Sequence, residues 1–343
     1  MAIQTSDIKW YKSQTVNDGN SNGGPLSANE IPDGVKNNVW PDVPQAERTA
    51  GSVKYRKTFI KIANDDDLAL LSPRVFIETH TPGDDNVVLM AGTQTDTQAQ
   101  ASGYTRCYGA GDLDADALSG DASLTVAVET GNQGVTGQAI FQNGDLIRIS
   151  DKTSVEAVSG NTEMLRLNTV NGVVWNGTLA TLTLAAGTTL GFNYAAASTR
   201  VASVLEADDI HATISGWQES TSSGTYDESQ HPVVCDHIGT VEETWTLTFS
   251  NATQFSCAGN SVGTVGSGSI GSAFAPNNPD FSRPYFTVSG GSPPWGGTWA
   301  SGDSITFATH PAAIAIWEKR TVPAGANSRS GNKVIVAISG ESA

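Results

Sequence analysis

From Val53 the chain takes on a period of two. Val53, Tyr55, Lys57, Phe59 and Lys61 fall on one side of the alternation, and Lys54, Arg56, Thr58 and Ile60 on the other, which is the rhythm of a β-strand. Residues 74–79 and 87–90 predict two more strands. Between the first two, Asn64-Asp65-Asp66-Asp67 predicts a turn leading into one helical turn over 68–71, and Thr81-Pro82-Gly83-Asp84-Asp85 predicts a second turn. Short strands then follow at 123–128, 139–141, 146–149, 163–170, 178–184, 199–205 and 209–217. The alternation is cleanest at 242–249, where Trp245, Leu247 and Phe249 share one face and Thr244, Thr246 and Thr248 the other. Further strands are predicted at 285–288, 304–308, 314–320 and 333–338. In 178–184, Thr178, Ala180, Leu182 and Leu184 form the expected core face, with allowance for a local bulge, and Leu179, Thr181 and Thr183 lie opposite.

Residues 1–52 read differently. Asn17-Asp18-Gly19, Asn22-Gly23-Gly24-Pro25 and Pro41-Asp42-Val43-Pro44 break any periodicity and predict an extended N-terminal arm. Trp10, Tyr11, Leu26, Ile31, Val39 and Trp40 are more apolar than a disordered tail carries, so the arm is expected to dock. The expected organisation is all-β, with β-sandwich or barrel domains and long loops: an arm over 1–52, a first part of a β domain over 53–120, a small barrel or sandwich over 121–206, and a C-terminal β domain over 207–343. Gly-Asp precedes an alternating strand twice, at Gly144-Asp145 and Gly302-Asp303, and a common turn solution explains the echo better than a duplicated domain.

Composition narrows the function classes. Charged residues make up 16% of the 343, and 35 acidic against 19 basic residues give a formal charge of −16. Such a chain has little with which to neutralise phosphates, so tight nucleic-acid binding is disfavoured, whereas an acidic wall lets DNA pass without holding it. Cys107, Cys235 and Cys257 are an odd count without C-x-x-C spacing, which fits neither a disulfide framework nor a zinc site. Met1–Trp10 lacks the pattern of a secretory leader and no run of 18 apolar residues occurs, so a soluble protein made in the cytosol is expected, with no membrane partner.

Candidate chemistry is sparse. Asp112, Asp114 and Asp116 resemble the start of a calcium loop, but Ala117 stands where the loop needs Gly and Ser123 where it needs an acid. His231-Pro232-Val233-Val234-Cys235-Asp236-His237 gathers metal-ligand types without a second cluster, and His80, His211 and His310 are scattered. Gly259-Asn260-Ser261-Val262-Gly263 matches a nucleophile elbow by letter, yet no helical pattern follows it, and the Gly/Ser loop over 259–272 lacks a phosphate-loop ending. Glu242 and Glu243 are adjacent, so they point to opposite faces of a strand and cannot pair for glycoside hydrolysis. Trp295 and Trp299 suit either an aromatic platform for a sugar or partner, or two rings covering a β core, and the second is the commoner use. No catalytic, cofactor or metal site is expected, and a non-enzymatic protein is.

Three stretches carry a resemblance: Asp7-Ile8-Lys9-Trp10-Tyr11; Glu47-Arg48-Thr49-Ala50-Gly51-Ser52-Val53-Lys54-Tyr55-Arg56-Lys57; and Phe307-Ala308-Thr309-His310-Pro311-Ala312-Ala313 through Trp317 to Val322-Pro323-Ala324-Gly325. In these the chain resembles virion structural proteins of long-tailed and Mu-like bacteriophages and prophages. The resemblance covers both ends of the chain and leaves the middle generic. It implies a virion protein made in the host bacterial cytoplasm, foremost the major tail protein, whose six-fold rings stack into a tube. Its partners would be copies of itself, other tail proteins and, transiently in the lumen, genomic DNA. Six copies at −16 each would give a ring a formal charge of −96. A capsid decoration or minor capsid protein, and a tail-tip glycan-binding module using Trp295 and Trp299, are the alternatives.

Overall fold

The computed structural model describes residues 2–134, 137–220 and 223–343, so Thr221 and Ser222 of the polar link before strand 242–249 lie outside the described residues. The fold is all-β, and its described helices are short: a 3-10 turn Thr5–Asp7 and α-helices Gln45–Ala50 and Gln98–Ala101. Every described strand pairing is antiparallel, with connections that let one sheet draw strands from both ends of the chain.

The first sheet runs in the order Gly23–Glu30, Ile8–Thr15, Ser52–Ile62, Ala313–Val322, Asn86–Ala91. Its spine is Ser52–Ile62 against Ala313–Val322, in unbroken register from Ser52 opposite Val322 to Lys61 opposite Ala313. Residues 1–52 therefore supply two strands of a sheet, and hydrogen bonding crosses the expected divisions at 52/53 and 206/207. Tyr11 is buried, and the Arg56 and Arg320 guanidiniums both lie over the Trp40 ring, 5.1 and 4.6 Å from its centroid.

Because neighbours cover both faces of the spine, the alternation at 53–61 is not an inside-outside pattern: Tyr55 through Ile62 are all buried, the basic residues included. Lys57, whose side chain is fully buried, is held 2.7 Å from Asp96 Oδ1 and donates to the carbonyls of Gly24, Gln94 and Asp96. Asp96 Oδ2 accepts from Trp317 Nε1 and Tyr104 Oη at 2.8 and 2.7 Å. The chain reaches this cluster past Gly23 (φ +106°), where a Cβ would meet the Trp317 ring at 2.7 Å, so only glycine fits.

A seven-stranded sheet follows, in the order Val173–Asn176, Leu179–Thr183, Ser123–Ala127, Ala110–Leu113, Arg200–Ser203, Leu146–Ser150, Thr162–Arg166. Ala110–Leu113 joins it across the expected division at 120/121. Ala180, Leu182 and Leu184 face its core as expected, and the 179–183 register against 123–127 has no bulge. Tyr55, Val88, Met90 and Trp317 of the first sheet pack into the same apolar cluster, so the two sheets share one core. A three-stranded sheet, Leu205–Glu206, Leu70–Thr79, Ile335–Ser342, flanks them.

The C-terminal sheet runs Thr213–Glu219, Ser304–His310, Glu243–Phe249, Gln254–Gly259, Gly263–Ser269. Trp245, Leu247 and Phe249 enter an aromatic core with Phe255, Phe286, Trp295, Trp299 and Phe307. Several expectations are corrected. Residues 65–66 turn but 68–71 form no helical turn, because Leu70 already begins a strand. Ile140 and Phe141 are buried from a loop, not a strand, and residues 285–288 make isolated bridges from Thr287 and Val288. The Gly/Ser stretch after 259 is a strand over 263–269. The repeated Gly-Asp is one turn used twice: Asp145 Oδ2 accepts from the Gln142 N–H and Asp303 Oδ2 from the Ala300 N–H, each three residues back.

One buried acid gives the fold a pH signature. Burial pushes the Glu318 carboxyl up to about 7, against hydrogen bonds from Trp40 Nε1 and Thr58 Oγ1 and the charge of Arg56. The native state thus holds a proton that the unfolded chain releases near 4.5, so this group's contribution falls as pH rises from 4.5 to 7. In urea titrations at several pH values, Glu318→Gln should gain on the wild type across that window, by on the order of 3 kcal/mol. A constant difference between the two proteins would refute the assignment.

Candidate functional site

The structure disperses most of the residues that sequence reasoning singled out. Asp112 pairs with His80 Nε2 at 3.2 Å, Asp116 accepts from the Ala196 N–H, and the Asp114 side chain is exposed, so the three acids do not converge. In the 231–237 segment, Cys235 Sγ donates to the Thr213 carbonyl, and Asp236 binds Arg283 at 2.7 Å while capping the Ile238 and Gly239 amides. His237 is buried, its Nδ1 is without a hydrogen-bond partner among the described residues, and burial pushes its pKa down. It borders an open cleft of about 470 Å³ with Asp67, Asp209, His211 and Cys235. Among the described residues no group of three or more His, Cys, Asp or Glu side chains is placed to hold a metal ion.

Ser261 sits in the hairpin turn between Gln254–Gly259 and Gly263–Ser269, not between a strand and a helix. Glu243 Oε2 accepts from its Oγ and N–H and from the Val262 N–H, a turn clamp that holds the glutamate below its usual range despite burial. Glu242 turns elsewhere and meets His310 Nδ1 at 2.9 Å. Trp295 and Trp299 are 4% and 2% exposed, and Trp299 stacks on Phe249 with centroids 4.2 Å apart. That burial overturns the aromatic platform and removes the residues on which a glycan-binding reading rested. The three cysteines are free, and burial pushes the Cys235 and Cys257 thiols up to about 12.

What remains as a site is surface. Ile335–Ser342 is hydrogen-bonded to Leu70–Thr79 along one side, and among the described residues no strand pairs along its other side. It reads Ile335-Val336-Ala337-Ile338-Ser339-Gly340-Glu341-Ser342, with a single charge, and every residue in it is at least partly exposed. Gly263–Ser269, the edge of the C-terminal sheet, is uncharged throughout. Edge strands of this kind offer unpaired backbone groups to another chain unless Lys, Pro or a covering segment blunts them. Elsewhere on the surface, Asp114, Asp116 and Asp121 leave the 114–121 stretch acidic and exposed.

No protein-family model and no curated protein matches the chain. Among the described residues no helix is long and apolar enough to cross a membrane.

Proposed function

We propose that the chain is a structural subunit of a tailed bacteriophage particle, the major tail protein, which assembles with copies of itself into six-fold rings stacked as a DNA-conducting tube. The open Ile335–Ser342 edge carries the reading: eight residues long and nearly uncharged, it suits strand addition from a second copy, which would satisfy its backbone and bury Ile335 and Ala337. The all-β architecture, the formal charge of −16 and the phage-like stretches at 7–11, 47–57 and 307–325 support it. The acidic surface keeps phosphates moving, while repulsion between subunits is limited by screening over about 8 Å at physiological salt.

The edge can be tested without disturbing the core. Ile335 lies outside the apolar clusters and Ser339 is half-buried, so a variant with both Ile335→Lys and Ser339→Lys should fold. Two lysines along one edge should abolish ring or tube formation in electron micrographs while the sedimentation coefficient stays that of a folded monomer. Tubes formed equally well by this variant would remove the edge from the assembly.

A further inference from the structure

We propose that Ser215, His310 and Glu242 form a nucleophilic triad that cleaves short-chain carboxylic esters through an acyl-serine. The three residues come from adjacent strands of the C-terminal sheet. His310 ends Ser304–His310 and lies opposite Thr213; Ser215 is two residues further along that neighbour, and Glu242 immediately precedes Glu243–Phe249 on the other side. Side chains two residues apart across a strand pair are within reach of a long one, and the register delivers all three to the outward face.

The geometry is that of a nucleophile, a base and an orienting acid. Ser215 Oγ lies 2.8 Å from His310 Nε2, and His310 Nδ1 lies 2.9 and 3.1 Å from the two Glu242 oxygens. A carboxylate can only accept, so the ring proton sits on Nδ1, Nε2 keeps its lone pair, and the serine hydroxyl donates to it. That is the tautomer a general base requires. Glu242 touches neither serine nor substrate and acts as a positioning residue.

A backbone irregularity adjoins the nucleophile. Ser215 pairs with Ala308 and Gln218 with Thr306, so Gly216 and Trp217 share a β-bulge with one extra residue, and Gly216 has φ +64°. A bulge takes a residue out of the ladder, and the proposal assigns a developing oxyanion to an amide of this bulge. Thr213, Thr244, Thr306 and Ala308 share the outward face with the triad, and none is a large apolar side chain that could hold a long acyl chain, so the substrate assigned is an ester with a small acyl group such as acetyl.

In the first step Ser215 Oγ bonds to the ester carbonyl carbon and its proton passes to Nε2. The C–O bond to the alcohol then breaks, and the departing oxygen takes that proton. Water repeats the sequence on the acyl-serine, releasing the carboxylic acid and restoring Ser215. The activity is separate from assembly and does not depend on it.

The test uses the full chain with a fluorophosphonate and with 4-nitrophenyl acetate. One phosphonyl group per chain should be found by mass spectrometry on the peptide containing Ser215, and ester cleavage should fall by about 100-fold or more in Ser215→Ala and in His310→Gln. Glu242→Gln should lower the rate and alter its pH profile without removing the labelled serine. These side chains are on the outer face, so thermal unfolding should be unchanged, which keeps loss of activity distinct from loss of fold. No labelling of the folded wild type, or equal cleavage by Ser215→Ala, overturns the proposal.

Discussion

Replacing Asp96 by alanine should cost about 3–5 kcal/mol of stability, among the largest effects available to a single substitution in this chain. The change strands the fully buried Lys57 ammonium without its carboxylate and leaves Trp317 Nε1 and Tyr104 Oη unpaired. Burial alone would raise the Asp96 pKa, and hydrogen bonds from Lys57, Tyr104 and Trp317 outweigh it and hold the carboxyl below its usual range. Because the folded value is depressed, the stabilisation is present above the unfolded pKa near 3.8 and is lost as pH falls through the folded one. Urea denaturation at pH 7 measures the loss. Asp96→Asn combined with Lys57→Met should recover much of it, since removing both charges also removes the desolvation penalty. If Asp96→Ala unfolded at wild-type urea concentrations, the cluster would not hold the 96–104 segment to the first sheet.

Trp245→Ala should cost a similar amount, about 3–5 kcal/mol, but in a different place. Trp245 is fully buried, lies 4.9–5.0 Å from the Phe286 and Tyr285 rings, and donates 2.8 Å to Thr309 Oγ1, which in turn donates to the Val241 carbonyl. Truncation opens a large cavity and leaves a buried hydroxyl short of a partner. The apolar cluster around it is distinct from the one beneath the seven-stranded sheet. Hydrogen exchange should therefore speed up across 213–310 while protection at 123–127, 146–150 and 179–183 stays near that of the wild type. Uniform loss of protection would mean that the two cores unfold as one unit.

These cores were unequally legible from sequence. Strands half-buried by a single sheet announce themselves: Trp245, Leu247 and Phe249 alternate with threonines because only one face is wet. Ser52–Ile62 also shows the period of two, but from Tyr55 to Ile62 both its faces are covered, so the alternation does not report that Lys57 and Lys61 are buried. The arm strands are harder still; Gly23–Glu30 contains Pro25 and little apolar side chain, and its place beside Ile8–Thr15 is set by tertiary contacts. Gly263–Ser269 has the composition of a loop and becomes a strand because Gln254–Gly259 offers it a partner.

Strand pairing crosses the expected segment boundaries for a topological reason. Ala313–Val322 inserts between Ser52–Ile62 and Asn86–Ala91, and no local pattern reports a pairing between strands so far apart in the chain. The same reason hid the serine, histidine and glutamate of the C-terminal sheet. His310 is 95 residues from Ser215 and 68 from Glu242, so no spacing motif exists to find. Conversely, the elbow letters at 259–263 sit in a hairpin turn between two strands, since letters alone say nothing of the turn that carries them.

The state of assembly is the most direct test of a tube-forming subunit. The purified full chain, concentrated at moderate salt and viewed by negative-stain electron microscopy, should form stacked six-fold rings or hollow tubes. Particles that remain monomers or trimers at every concentration would contradict that role.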